Sequence, residues 1–252
     1  CFGDVTMSPG AMHRCAEDGR SVVLLDRNGR FKARVEGPIS GNILLRQAQF
    51  RKAEDAAFAV DVAKAVIAGK LRNARQVLLR GAREANNSDD GAKISHVADD
   101  LAASLRALAV ATDLDAVRGI EGEAARNYFA ALNHLVRWEA REVFTLNGRS
   151  RRPPRDRFNA LLSFIYALVL NDCRSALESV GLDPQLGYLH AVRPGRSALA
   201  LDLMEEFRAI FADRLALTLI NRAQVNAKDF DERPGGAVYL RDDARKTVVV
   251  AY

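Results

Sequence analysis

Apolar residues recur at helical spacing along most of this chain, and the places where they do not mark its organisation. Ser8-Pro9 reads as an N-cap and first-turn proline with Gly19 as terminator, which predicts a short helix over 9–18. Apolar, β-rich runs at 21–26 and 31–35 flank Asn28-Gly29, a pair suited to the positive φ angles of a hairpin turn. Gly37-Pro38 marks a boundary, Ser40 offers an N-cap, and helical sequence dominates from Asn42 to Asn221. Phe58, Val62 and Val66 form one stripe at i, i+4 and i+8, with Arg72, Arg75 and Arg83 on another face. A polar loop at 86–91 follows, then helices over roughly 95–110, 113–118 (capped by Asp113) and 121–143, then a loop over 147–157. Residues 158–177 are apolar on nearly every face, as in a central buried helix. A loop over 181–195, a long helix over 198–222, a hairpin around Pro234-Gly235-Gly236 and a last helix capped by Asp242 complete the pattern.

The fold class expected is α+β and mostly α. Residues 1–37 would be the C-terminal part of an N-terminal β-domain, and 38–252 a larger helical catalytic domain. The chain begins at Cys1 and ends at Tyr252 inside an apolar periodic segment, so its first and last elements read as incomplete.

Composition narrows the class. With 252 residues, 48% hydrophobic and 27% charged, the chain can bury a sizeable core and is not a disordered polymer. Cys1, Cys15 and Cys173 are too few and too scattered for a disulfide framework or a zinc ribbon, and a reducing, cytoplasmic compartment fits them best. The apolar stretch 160–170 is too short to span a bilayer and the N-terminus carries no signal-peptide pattern, so no membrane role is expected. A net charge of +5 suits an anionic partner.

Three places carry candidate chemistry. Glu121 is read as opening a helix with Ala124 and Ala125 on the next turn, which leaves room above its carboxylate; an acid at a helix start also answers to the helix dipole alone. His190 lies on the Gly/Pro loop, where an imidazole can reach a metal or a phosphate or simply face water. Asp202 and Glu205, three residues apart on a helix, share one face and can address one centre; Leu199, Leu203, Phe207 and Ile210 are expected to be that helix's buried face, leaving the acids on a solvated edge as the plain reading. Together these residues offer hard oxygen ligands and an imidazole, a set suited to a divalent ion acting on phosphate chemistry. No His-Glu-x-x-His, Walker or Rossmann glycine pattern is present. The loop 149–157 carries five arginines against one aspartate, and Arg126, Arg137 and Arg141 are placed along the Glu121 helix; this charge is either solvated or in contact with DNA backbone.

Gly119-Ile-Glu-Gly-Glu-Ala-Ala-Arg-Asn-Tyr-Phe129, Arg151-Arg-Pro-Pro-Arg-Asp156, Asn159-Ala-Leu-Leu-Ser-Phe164, Gly181-Leu-Asp-Pro-Gln-Leu-Gly-Tyr-Leu-His190 and Asp202-Leu-Met-Glu-Glu-Phe-Arg208 resemble the CRISPR-associated endonuclease/integrase of spacer acquisition. The likeness continues through 212–222 and Gly235-Gly-Ala-Val238, and the style of the loops is similar to the type I-C branch. The resemblance implies a homodimer that works with a small dimeric second adaptation protein. It implies Mg²⁺ or Mn²⁺ held by Glu121, His190 and Glu205 with Asp202 beside them in the catalytic site, and prespacer DNA 3′-hydroxyls joined to the CRISPR repeat by transesterification. From the basic loop and the Glu121 helix, Arg126, Arg151, Arg152 and Arg155 are the expected nucleic-acid contacts. The rival expectation is a non-catalytic helical DNA-binding or scaffold module.

Overall fold

The computed structural model describes residues 1, 3–26, 31–35, 37, 42–85 and 87–252. Ser8 accepts the Ala11 N–H at 3.3 Å ahead of Pro9, so helix α1 (Pro9–Glu17) starts where the capping pattern places it. Strands β1 (Val22–Leu25) and β2 (Phe31–Val35) pair antiparallel with Val22 opposite Val35. The Asn28-Gly29 turn, Pro38 and Ser40 lie outside the described residues. Helix α2 (Ile43–Ala53) takes Asn42 as its cap, the side chain accepting the Leu44 N–H at 2.9 Å.

The helical part departs from the sequence pattern at five points. In α3 (Ala56–Arg83) the buried stripe is Ala59, Ala63, Ile67, Leu71, Ala74 and Leu78, one position on from Phe58, Val62 and Val66, which are half-buried. The polar run at 86–91 is largely helical: α4 (Ser88–Val110) begins inside it, because Asn87 caps the Asp90 N–H at 2.7 Å. The predicted helices 113–118 and 121–143 are one helix, α5 (Leu114–Leu135), capped by Asp113 and ending eight residues early. A Cβ at Gly119 or Gly122 would meet nothing within 4 Å, so these glycines sit on an open face of a continuous helix rather than breaking it. Arg137 and Arg141 therefore lie beyond α5, at and in the short helix α6 (Trp138–Arg141).

Helix α7 (Arg157–Ser179) contributes Phe158, Leu161, Leu162 and Ile165 to the centre of the core. By length and composition it passes the test for a membrane-crossing helix, unlike the shorter stretch read from sequence, but half of its most apolar window is buried inside the protein. The β1–β2 hairpin docks on its C-terminal end through an Arg34–Glu178 ion pair and the Arg174 guanidinium, 5.1 Å from the Phe31 ring. The long C-terminal helix is divided into α8 (Ala198–Phe207), a π-helical turn (Arg208–Asp213) and α9 (Arg214–Asn221). Strands β3 (Phe230–Arg233) and β4 (Ala237–Leu240) form the second hairpin. In α10 (Asp242–Ala251) Asp242 is the first helical residue and pairs with Arg245 at 2.7 Å; the cap position is Arg241.

Helix α2 matters for what it holds. Buried Gln49 donates to the Asp183 carbonyl at 2.9 Å and accepts the Asp183 N–H at 2.8 Å, clamping the base of the 181–195 loop. Gln49→Ala removes both bonds and is expected to lower stability by about 1–2 kcal/mol, read as a lower urea midpoint with unchanged m-value.

Candidate active site

Helix α8 turns its charged side inward. Asp202 and Glu205 are 1% and 4% exposed, whereas Phe207 is 42% exposed. Leu199 is buried as expected, but Phe207 and Ile210 are on the outside, and the acids are not a solvated edge. A reading by hydrophobicity alone misplaces the acids and Phe207, because the buried side of this helix holds ion-paired carboxylates beside Leu199 and Met204.

Asp202 organises the loop that carries His190. One carboxylate oxygen accepts the Tyr188 and Leu189 N–H groups at 2.7 and 3.0 Å; the other accepts the His190 N–H at 3.0 Å and lies 2.7 Å from His190 Nδ1. A carboxylate that takes three backbone donors accepts from the ring as well, so Nδ1 carries a proton and Nε2 is the nitrogen that presents a lone pair in the neutral ring. Nε2 faces Glu205 Oε1 at 3.9 Å. The loop approaches closely because residue 187 has no side chain: a Cβ there would lie 2.7 Å from the Ala198 carbonyl carbon and 2.9 Å from Asp202. Arg118, one turn before Glu121, also holds it through two bonds to the Leu189 carbonyl at 3.0 and 2.8 Å. Phe58 packs edge-on against Tyr188.

Glu121 lies in the interior of α5, two turns from its start, so the helix dipole does not account for it. Lys70 of α3 pairs with Glu121 and, at 2.7 Å, with Glu205 Oε2. Arg208 pairs with Glu205 Oε1 at 3.0 Å. Burial alone would raise the Glu205 pKa, but the Lys70 ammonium and Arg208 guanidinium overcome it and hold the group down to about 2. Lys70 was not found from sequence. The available signal was Gly69, isolated inside a helical pattern: a Cβ there would lie 2.9 Å from Glu206 Cδ, so the glycine lets α3 and α8 meet and brings Lys70 to Glu205.

Lys70 thus bridges Glu121 and Glu205 Oε2, while His190, with Asp202 behind the imidazole, faces Glu205 Oε1. Among the described residues no three acidic, His or Cys side chains stand close enough together to grip an ion, because Lys70 bridges the two glutamates. The donor set nonetheless fits a hard divalent cation: two carboxylates, one imidazole lone pair, and in Glu205 Oε2 a buried oxygen that has an ion-pair contact but no directed hydrogen bond. Behind the site, Arg208 stacks over Tyr166 at 4.7 Å, and Tyr166 and Tyr128 donate to Asp213 at 2.6 and 3.0 Å. Burial raises the Asp213 pKa to about 6 against those two hydrogen bonds. Arg208 and Asp213 bound the π-helical turn, a feature frequent at functional sites.

The basic loop divides in two. Arg149 is turned inward onto Asn159 at 2.6 Å and over Tyr166, and Arg157 pairs with Glu232 at 2.7 Å. Arg155 donates to the Gly235 carbonyl while remaining exposed. Arg151, Arg152 and Arg126 are exposed, and no protein partner is found for their side chains among the described residues.

The family model described as CRISPR associated protein Cas1 matches residues 1–252. The chain is 60% identical to the CRISPR-associated endonuclease Cas1 1 of Moorella thermoacetica over all of its own length and 73% of that protein. The structure superposes on a casposase bound to integration product with a TM-score of 0.82 at 25% identity, covering 98% of this chain and 66% of that one. It also superposes on a chain of a Cas6-RT-Cas1–Cas2 complex with a TM-score of 0.79 at 28% identity, covering 99% of this chain and 27% of that one.

Lys70→Met leaves Glu205 with Arg208 alone and is expected to cost about 2 kcal/mol at pH 7. In the folded protein Glu205 titrates at about 2, against 4.5 without these neighbours, so its pairing stabilises the fold above pH 4.5 and is lost as pH falls toward 2. The stability gap between parent and variant should therefore be full at pH 7, still more than half present at pH 3 and largely closed only as pH approaches 2, as read by urea melts at each pH. A gap independent of pH would contradict the assignment.

Proposed function

This chain belongs to the Cas1 family of CRISPR-associated proteins, and on that premise we propose that it is a metal-dependent DNA integrase and endonuclease of CRISPR adaptation. The observation that carries this reading is the Lys70 ammonium bridging Glu121 and Glu205 Oε2, from two helices, with His190 of the 181–195 loop facing Glu205 Oε1. Glu121, Glu205 and His190 Nε2 would hold Mg²⁺ or Mn²⁺. When bound, the ion lowers the pKa of an attacking hydroxyl and neutralises charge on the reacting phosphate.

The chain's own residues do the rest. Asp202 fixes the imidazole tautomer so that His190 offers a lone pair and not a proton. Lys70 and Arg208 keep Glu205 ionised despite its burial. In the strand-joining reaction a prespacer 3′-oxygen forms a bond to a repeat phosphorus, the bond from that phosphorus to the repeat's own 3′-oxygen breaks, and the departing oxygen takes up a proton. Arg126, Arg151, Arg152 and Arg155 contact backbone phosphates, which carry no sequence information.

The partners that fit are prespacer and repeat DNA, a second copy of this chain, and the small second adaptation protein; the casposase and Cas1–Cas2 neighbours support DNA and that protein. In this reading residues 1–37 close an N-terminal β-domain, 38–252 form the catalytic domain, and the protein works in the cytoplasm, where its three cysteines stay as free thiols. A non-catalytic scaffold would have no use for Glu121, His190, Asp202 and Glu205 all kept together.

The test is strand transfer on a branched DNA that mimics a half-integrated repeat, with Mn²⁺ and with EDTA. Glu121→Ala, Glu205→Ala and His190→Ala should each lower the rate by at least about 100-fold, and EDTA should abolish it. Asp202→Asn, which replaces one of the acceptor oxygens that hold the imidazole and the 188–190 backbone N–H groups by a donor, should lower Mn²⁺ affinity by about 10–100-fold. Product surviving all three alanine substitutions would remove the site assignment.

A further inference from the structure

At the end of the bundle away from Glu121, the C-terminal ends of α3, α5 and α9 enclose a pocket of about 340 Å³. Glu121 and Leu135 both lie on α5, and at 1.5 Å per residue this puts the pocket roughly 20 Å from the candidate active site. Its charges fall into two groups. Both carboxylates that line it are already paired within the protein: Glu84 with Arg80 at 2.8 Å, and Asp90 with Arg141 at 2.9 Å. Three further arginines, Arg137, Arg214 and Arg222, line the same pocket, are exposed, and have no side-chain partner among the described residues. The pocket therefore holds an uncompensated positive charge contributed by rigid elements.

Trp138 stands at the same place. It is the single tryptophan of the chain and is 74% exposed. The Arg141 guanidinium lies 5.9 Å from the indole centroid. The segment that presents it is fixed: Asn221 of α9 accepts the Arg137 N–H at 2.9 Å and donates to the Leu135 carbonyl at 2.9 Å. An exposed indole on a fixed backbone, lining the same pocket as three unpaired guanidiniums, is a combination that takes a stacked base and its neighbouring phosphates. An acidic peptide would use the charges but not the indole face.

We propose that this pocket binds single-stranded nucleic acid, one base stacking on Trp138 and the neighbouring phosphates pairing with Arg137, Arg214 and Arg222. The site is chemically separate from the metal-ligand set and does not rest on the nuclease reading.

Because Trp138 is the sole tryptophan, its fluorescence reports the pocket directly. A short oligothymidylate titrated in low salt should quench it saturably, while an abasic oligonucleotide and inorganic polyphosphate compete without quenching. The triple variant Arg137→Ala, Arg214→Ala, Arg222→Ala should bind at least about 10-fold more weakly and show a log–log salt slope reduced by about 2. Trp138→Ala, followed by anisotropy of labelled oligonucleotide, should lose about 10-fold. All four side chains are exposed, and circular dichroism checks that the variants fold. Binding seen by anisotropy with unchanged tryptophan fluorescence would overturn the proposal. So would equal quenching by a blunt duplex, or quenching by an acidic peptide but not by the oligonucleotide.

Discussion

The structure depends on burying charge along the inner side of α8. Asp202, Glu205 and Arg208 lie at i, i+3 and i+6 and are each less than a tenth exposed. Each must find a partner, because an isolated ion in this environment would be costly by several kcal/mol. The partners come from everywhere around it: Lys70 from α3, the backbone and imidazole of the 188–190 loop, and, through Lys70, Glu121 from α5. A face of this kind adds little net stability over an apolar one. What it fixes is the relative position of three helices and a loop, and those are the elements that carry the candidate catalytic groups.

The same logic extends backward into the core. Arg208 lies between Glu205 and the Tyr166 ring, and Tyr166 and Tyr128 satisfy Asp213 at the other end of the π-helical turn. The extra residue of a π turn changes the angular spacing between positions 208 and 213, so two oppositely charged groups can both face inward within one turn and a half. A regular helix through this segment would turn one of them away from the bundle.

Much of this was legible in the sequence, and the failures have physical causes. Ser8-Pro9, the two strands and the buried character of 158–177 were readable because caps, β-branching and all-round apolarity are local signals. Glu121, His190, Asp202 and Glu205 were singled out from residue type, loop context and resemblance. Their environment was not: hydrophobicity put Phe207 and Ile210 inside and the acids at the edge, since a periodicity argument cannot see a buried face held by ion pairs. The predicted gap at 119–120 falls at Gly119, whose unfavourable helix propensity is local, whereas the packing that carries α5 through it is not. Lys70, Arg118 and Gln49 were missed for the same reason. Each acts across the fold on a segment far away in sequence, and nothing in its own neighbourhood announces the partner. The basic loop was read correctly as basic but too uniformly, since Arg149 and Arg157 serve the fold and leave the outer arginines for a ligand.

The central claim is that Glu121, Glu205 and His190 are gathered for a divalent cation whose place Lys70 partly fills. Anomalous diffraction from a crystal grown with Mn²⁺ tests it most directly. The account predicts a single strong peak within ligand distance of Glu121, Glu205 Oε2 and His190 Nε2, with Asp202 still hydrogen-bonded to Nδ1 and off the metal, and with the Lys70 ammonium moved away from the carboxylates. A peak coordinated by Asp202 in place of His190, or none between Glu121 and Glu205 at millimolar Mn²⁺, would contradict it.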